Sequence, residues 1–154
     1  MAKVRLTFLI EAKPEAVWEV LTDINFIPKL YPDILNVVAD PPGRAKVGQW
    51  RTVSGRAGNR LIEVKTKVSE LVPLKRYVVE GRRGGAFESF RQAIEITGVE
   101  EGTMVSAEYD FKVSAGYFGP GFDLYTLSQA ASLNEEAYMK NLKELAELHD
   151  PGTG

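Results

Sequence analysis

The chain has 154 residues, 44% of them hydrophobic and 26% charged, which is the composition expected of one soluble globular domain with a sizeable core. A net charge of −2 argues against bulk nucleic-acid binding, and the lack of cysteine excludes disulfides and thiolate metal ligands. No apolar run approaches the ~20 residues of a bilayer-spanning helix, and the N-terminus does not have the pattern of a signal peptide. We therefore expect a cytoplasmic protein with a single domain over residues 1–150 and a disordered tail at 151–154.

The first predicted elements are a strand and two short helices. Residues 3–10 alternate apolar with polar side chains, which predicts a strand with one buried face. Pro14 is typical of a first helical turn, and Trp18 lies on the apolar stripe of that helix, where we assign it to packing. A second short helix is predicted over 24–31, before Pro32. Two short helices that meet at an angle can close one end of a curved sheet, so we interpret this segment as a plug or gate.

Six further strands are predicted because short alternating segments are separated by turn sequences. These segments are 35–40, 48–55, 60–71, 76–82, 86–97 and 103–113. Their short connections favour an antiparallel meander of seven strands in all. A Gly-Pro-Gly sequence at 119–121 ends the sheet, and apolar residues at three- and four-residue spacing over 122–149 predict a long C-terminal helix.

Two stretches carry a resemblance to a known superfamily. The sequences AKPEAVWEVLTDINFIPKLYP (residues 12–32) and GTMVSAEYDFKV (residues 102–113) resemble motifs of the START/Bet v 1-like (SRPBCC) superfamily. That superfamily includes polyketide cyclases/dehydrases, lipid-transfer domains, coenzyme Q-binding proteins and CO-dehydrogenase-subunit-like proteins. The resemblance covers essentially the whole chain. It implies an α+β helix-grip fold, in which a seven-stranded curved antiparallel sheet wraps a long C-terminal helix, two short helices join strands 1 and 2, and an apolar ligand cavity is enclosed.

The alternation also predicts which side chains line such a cavity. Most of the apolar ones would be needed for any core, whereas polar side chains on apolar faces need a partner or a ligand. Small side chains at some of these positions leave space, which favours a hollow interior of roughly 300–1,000 Å³. The predicted ligand-binding residues are Trp50, Thr52, Thr66, Phe90, Gln92, Tyr109, Phe111, Asn134 and Tyr138.

Catalytic chemistry receives little support from the sequence. His149 is the single histidine and lies at the end of the last helix, where it suits the helix dipole better than a catalytic role. We therefore predict no metal site and no cofactor. Glu88 is a weak catalytic candidate, because it would point inward with Gln92 and act as a general base in a cyclisation, unless a nearby arginine pairs with it.

Arginines at the predicted hairpin tips indicate an entrance. In an antiparallel meander, the turns after strands three and five and the end of strand seven lie at the same end of the sheet. Arginines beside aromatic groups suit an amphiphile with an anionic head or an anionic membrane surface, although ordinary solvated hairpin tips are the alternative. The predicted entrance comprises Arg56, Arg60, Arg82, Arg83, Tyr117, Phe118 and Phe122.

Three functions are compatible with these residues and with the resemblance. The first is a binding or carrier protein for a hydrophobic or amphipathic small molecule, such as a lipid, a quinone or a polyketide-like compound. The second is a cyclase/aromatase-type enzyme acting on a polyketide-like substrate, and the third is a protein-interaction subunit with an incidental cavity. A carrier needs only an apolar cavity, whereas an enzyme needs converging titratable groups inside it. The sequence favours the carrier and leans against an enzyme.

Overall fold

The computed structural model describes residues 2–31, 34–57, 60–81, 87–113 and 124–149. Its elements follow the predicted order closely. They are β1 (Ala2–Ile10), α1 (Pro14–Thr22), a 3₁₀ turn (Ile24–Phe26), α2 (Ile27–Leu30), β2 (Ile34–Asp40), β3 (Trp50–Ala57), β4 (Arg60–Val72), β5 (Arg76–Gly81), β6 (Phe87–Val99), β7 (Gly102–Val113) and α3 (Leu124–His149).

The seven strands form one antiparallel sheet in the order β1-β7-β6-β5-β4-β3-β2. Consecutive strands pair as hairpins from β2 to β7, and β1 closes the other side by pairing along β7. α3 contacts α1, α2, β1 and β7. The predicted α+β helix-grip fold, with a curved sheet, two short helices and a long C-terminal helix, is confirmed.

The core lies between one face of the sheet and one stripe of α3. From the sheet it receives alternate residues of neighbouring strands, such as Tyr109 of β7 and Ile94 of β6, both fully buried. From α3 it receives Tyr138, Met139 and Leu142, whose three- and four-residue spacing keeps them on one helical stripe. The alternation that predicted the strands therefore also determines the composition of the core.

The short helices are fastened to both neighbouring layers. Trp18 of α1 is half-buried and packs against the core, as assigned from the sequence. Asp23 ends α1, and its carboxylate caps the 3₁₀ turn by accepting a hydrogen bond from the backbone N–H of Asn25 at 2.9 Å. Leu30 is fully buried at the end of α2, and its carbonyl accepts a hydrogen bond from Asn141 of α3 at 2.8 Å. The segment therefore packs against α3, as expected of a plug. Its role as a gate that opens stays a prediction.

Candidate functional site

Four polar residues meet between the sheet and α3; three of them are buried, and the fourth, Tyr31, is partly buried. We call them the tyrosine–carboxyl cluster: Tyr31 after α2, Gln92 on β6, Tyr109 on β7 and Glu135 on α3. The Tyr31 hydroxyl donates to the Glu135 carboxyl, 3.0 Å from Oε1 and 3.1 Å from Oε2. Gln92 Nε2 donates to the same hydroxyl at 3.2 Å, and sheet register places Gln92 directly opposite Tyr109. Because only 4% of Glu135 is exposed, this carboxyl is sequestered from water.

Burial dominates the electrostatics of the tyrosine–carboxyl cluster. It raises the pKa of Glu135 to about 8, and the hydrogen bond from Tyr31, together with the nearby Gln92 amide and Tyr109 hydroxyl, only partly opposes this rise. Burial also raises the pKa of the Tyr31 hydroxyl well above its usual value, as does the adjacent carboxyl. Glu135 is therefore mostly protonated at neutral pH and can either donate or, when ionised, accept a proton.

The Tyr109 hydroxyl is the unsatisfied member of this cluster. It is buried and has no hydrogen-bond partner that meets ordinary geometry among the described residues. It is still close enough to Glu135 for the two groups to influence each other's pKa. A buried hydroxyl without a partner costs about 1–3 kcal/mol, so a ligand that bonds to it would recover that energy.

A second polar group lies on the same face of the sheet, which we call the arginine cluster: Gln49, Arg51 and Tyr77. Arg51 on β3 is 3% exposed, and its Nε donates to the Gln49 side-chain oxygen at 3.1 Å. Its Nη1 donates to the Tyr77 hydroxyl, whereas its Nη2 is buried with no partner in the described part of the chain. Sheet register places Arg51 opposite the buried Thr66, so the side chain projects from the core face of the sheet.

The orientation of Gln49 is fixed by the loop between β2 and β3. Its side-chain nitrogen lies within hydrogen-bonding distance of three backbone carbonyls, at 3.0, 3.1 and 3.2 Å; they belong to Pro41, Gly43 and Arg44. Because the amide nitrogen is bound there, the amide oxygen must face Arg51. Loop backbone, Gln49 and guanidinium therefore form one continuous hydrogen-bonded relay.

Tyr138 lies between the two clusters. Its ring centroid is 4.7 Å from that of Tyr31, which belongs to the tyrosine–carboxyl cluster. Burial raises the pKa of Tyr138 well above its usual value, Tyr77 and Glu135 raise it further, and the charge of Arg51 lowers it. Tyr77, Tyr109 and Tyr138 belong to one hydrophobic core, with Tyr31 packed against it, so the two clusters share one interior.

Several predicted ligand residues face this interior. The buried ones are Thr66, Gln92, Tyr109, Phe111 and Tyr138. Phe90 is half-buried and lies against Phe87, with 5.4 Å between ring centroids. The side chain of Asn134 is outside the described residues. The contact of these side chains with a ligand, and a hollow interior, stay predictions.

The predicted orientation of Trp50 and Thr52 is wrong. They pair with Lys67 and Lys65 on the opposite face of the sheet, and the Lys67 ammonium lies 5.6 Å from the Trp50 ring centroid. The inward position between them belongs to Arg51. Hydrophobicity alone orients β3 with its tryptophan inside and its arginine outside. The hydrogen bonds of the arginine cluster override that preference.

The inward orientation predicted for Glu88 is also wrong. Glu88 is exposed, and one of its carboxylate oxygens lies 3.0 Å from the ammonium of Lys112 on β7. The register of β6 against β7 shifts between Phe87 and Ser89, so a strict two-residue alternation fails at the start of β6. The irregularity directs Phe87 toward the core and leaves Glu88 in a surface ion pair.

The predicted entrance lies mostly outside the described residues. Arg56 is exposed near the end of β3, as expected for an entrance or a solvated tip. Sheet register does place the ends of β3, β5 and β7 at the same end of the sheet. The other predicted members are outside the part whose side chains the structure describes: Arg60, Arg82, Arg83, Tyr117, Phe118 and Phe122.

Sequence reasoning missed the two ionisable residues at the centre of the site, Glu135 and Arg51. Glu135 lies three residues before Tyr138 and seven before Leu142, so its spacing qualifies it as a member of the buried stripe of α3. The prediction favours Asn134 instead, because Asn134 continues the three- and four-residue spacing from Ala131 to Tyr138. Arg51 gives a weaker signal, since only the phase of β3 distinguishes it from a surface arginine.

Among the described residues, no group of three histidine, aspartate or glutamate side chains is placed to hold a metal ion. His149, at the end of α3, has its Nε2 3.8 Å from a Glu19 carboxylate oxygen and its ring edge-on to Phe26. None of the described helices has the length and apolar character needed to cross a bilayer.

Comparison with known proteins gives one family and several similar folds. A family model described as polyketide cyclase/dehydrase and lipid transport matches residues 1–149. TTHA0849 from Thermus thermophilus has a TM-score of 0.74 at 19% identity, covering 94% of this chain and 97% of that one. The Zhui aromatase/cyclase from Streptomyces sp. R1128 has a TM-score of 0.75 at 16% identity, covering 95% and 93%. Ara h 8.0201 has a TM-score of 0.71 at 14% identity, covering 94% and 97%. No curated protein sequence matches this chain significantly.

Proposed function

Because the chain belongs to the polyketide cyclase/dehydrase and lipid transport family, we propose that it binds a hydrophobic or amphipathic small molecule between the sheet and α3. The same match confirms the predicted membership of the START/Bet v 1-like superfamily. Lipids, quinones and polyketide-like compounds all fit this description. A cytoplasmic location and peripheral contact with an anionic membrane stay predictions.

One observation carries the binding proposal: the Tyr109 hydroxyl is buried near the protonated Glu135 and has no hydrogen-bond partner among the described residues. Small-molecule sites are mostly apolar, with a few polar groups that fix orientation. The tyrosine–carboxyl cluster has this composition, because its few polar side chains lie within the hydrophobic core, where Ala107 and Phe111 flank Tyr109 on the same face of β7. A ligand carbonyl or hydroxyl would supply the partner that Tyr109 lacks.

The test is calorimetric titration of the protein with 1-decanol and 2-naphthalenemethanol, which are neutral and differ in shape. We expect saturable binding to at least one of them, and weaker binding in Tyr109→Phe. Saturable binding that is identical in wild type and Tyr109→Phe would support the carrier but remove Tyr109 from its site. Binding of neither probe would contradict the carrier proposal and favour a protein-interaction subunit.

A cyclase is the second candidate, and Glu135 is the feature that favours it. Ionised Glu135 would take a proton from the carbon between two ketones, and that carbon would then attack a further carbonyl in the same molecule. The protonated carboxyl would return the proton to the new alkoxide, so the step neither gains nor loses atoms. Tyr31 would hold the carboxyl in position. The general-base role that the sequence suggested for Glu88 thus moves to Glu135.

Proton abstraction can be tested without knowing the natural substrate. We expect the wild-type protein to accelerate deuterium exchange from solvent into the methylene group of a 1,3-diketone, as followed by NMR. Glu135→Gln removes the base and should abolish the acceleration. Glu136→Gln changes the adjacent exposed residue of α3 and is the matched control. Equal exchange with and without protein would contradict the enzyme and leave the carrier proposal intact.

A further inference from the structure

The guanidinium of Arg51 is buried and held in one orientation. Its Nε is bound by Gln49 at 3.1 Å, and its Nη1 by the Tyr77 hydroxyl. Its guanidinium carbon lies 5.5 Å from the centroid of the Tyr77 ring. Two of the three nitrogens are thus fixed by neutral oxygens, and Nη2 remains as a buried donor without an acceptor among the described residues.

No described carboxylate balances the charge of Arg51. The ion pairs of the described residues involve other arginines and lysines, such as Arg76 with Glu70 and Glu95. Glu135 is a buried carboxyl group that could in principle serve as the counter-ion. However, its pKa is influenced by burial, Tyr31, Gln92 and Tyr109, and not by Arg51. A buried guanidinium is normally compensated by an anion, since burial without a counter-ion is strongly unfavourable.

We propose that Arg51 anchors a carboxylate carried by the ligand, so that the ligand is an amphipathic organic acid. This inference rests on the proposed binding function and adds the chemical class of the ligand. The carboxylate would accept from Nη2, whose direction the relay through Gln49 has already set. Tyr138 of α3 interacts electrostatically with both Arg51 and Glu135. The body of the ligand would therefore extend from Arg51 past Tyr138 toward Glu135.

The competing explanation is that Arg51 serves only the fold, as the donor to Gln49 and Tyr77. The two explanations differ in what they predict for pairs of ligands that differ only in charge. A structural arginine gives no preference between an acid and the alcohol of the same shape. An anchoring arginine gives a preference that disappears when its charge is removed.

The experiment is calorimetric titration at pH 7 with two matched pairs. They are decanoate with 1-decanol, and 2-naphthoate with 2-naphthalenemethanol. For at least one pair, we expect the acid to bind wild type about tenfold more tightly than the alcohol, as befits one charge-assisted hydrogen bond. Arg51→Met should remove this preference, so that each acid binds no more tightly than its matched alcohol. Arg5→Met, at an exposed position of β1, is the control and should keep the preference.

Each result decides the proposal. No preference for the acid in either pair, with the alcohols bound, overturns the anchor and leaves the binding function standing. A preference that survives in Arg51→Met overturns it too, as does failure of wild type to bind any of the four probes; that last result also rejects the carrier. Should Arg51→Met fail to fold, the wild-type comparison still decides. Arg51→Lys, which keeps the charge without the planar fork, should then retain only part of the preference.

Discussion

The tyrosine–carboxyl cluster and the arginine cluster place an ionisable group in the same interior but deal with its charge differently. Glu135 can become neutral by binding a proton. Because burial disfavours the ionised carboxylate, it raises the pKa of Glu135 to about 8. Arg51 cannot do so, because a guanidinium stays protonated in proteins. Its charge is therefore met by neutral oxygens from Gln49 and Tyr77. At neutral pH one end of the interior is close to neutral and the other is cationic, which suits a molecule with an anionic head and a mostly apolar body.

The largest expected effect is a pH dependence of the free energy of unfolding that arises from the tyrosine–carboxyl cluster and not from the arginine cluster. Above about pH 4.5 the Glu135 side chain is ionised when unfolded, but up to about pH 8 it stays protonated when folded. Unfolding in that window releases a proton, so the Glu135 contribution to the free energy of unfolding should fall by up to roughly 5 kcal/mol as pH rises from 4.5 to 8. Urea denaturation of wild type and Glu135→Gln across this range measures it. The variant should show a flatter dependence, whereas Glu136→Gln should follow wild type; parallel curves for wild type and Glu135→Gln would contradict the buried-carboxyl interpretation.

The next effect tests how strongly the arginine cluster depends on its relay. Gln49→Leu removes the acceptor of Arg51 Nε and the donor shared by three loop carbonyls. We expect a loss of about 3 kcal/mol in the free energy of unfolding, because several buried polar groups lose their partners together. The change should be nearly independent of pH between 5 and 8, unlike that of Glu135→Gln. A loss below about 1 kcal/mol would mean that water or a rearranged loop replaces the relay.

The smallest effect compares two buried tyrosines. Tyr77→Phe deprives the charged Nη1 of Arg51 of its acceptor and should cost about 2 kcal/mol. Tyr109→Phe removes a hydroxyl that has no partner of good geometry among the described residues, so stability should stay within about 0.5 kcal/mol of wild type or rise. The two variants delete the same atom at two buried sites, and thermal or urea unfolding of the pair measures the difference directly. Equal losses would show that the Tyr109 hydroxyl is satisfied after all.

The fold was predictable because its information is local. Alternation such as that of residues 60–71 specifies which face of a strand is buried, and the intervening turn residues limit the sheet to neighbouring hairpins. The predicted boundaries accordingly differ from the observed ones by at most two residues at each strand end and at the ends of the C-terminal helix. The resemblance of the segment containing Trp18 added the helix-grip arrangement that alternation alone does not specify.

The site was harder to predict because its key members violate the local rules. A one-residue change of phase rotates a helical side chain by about 100°, and this separates Asn134 from Glu135. Arg51 occupies an inward position that hydrophobicity assigns to Trp50. The irregularity near Ser89 invalidates the parity on which Glu88 was chosen. Each of these outcomes depends on partners that are distant in sequence, such as Tyr31 for Glu135 at 3.0 Å.

The pairing of β1 with β7 has a consequence for how the chain folds during its synthesis. Ala2 pairs with Phe111 and Ile10 with Thr103, so β1 is synthesised about 100 residues before β7, its partner in the described sheet. Glu11, just beyond β1, donates its backbone N–H to the Glu147 carboxylate of α3 at 2.8 Å, a contact that can form only after α3 has been synthesised. While the ribosome is still working, the hairpins from β2 onward can form, but the apolar side of β1 stays uncovered. The native sheet can therefore be completed only late in synthesis, after β7 has been made. A chain that is terminated before β7 leaves β1 without this sheet partner.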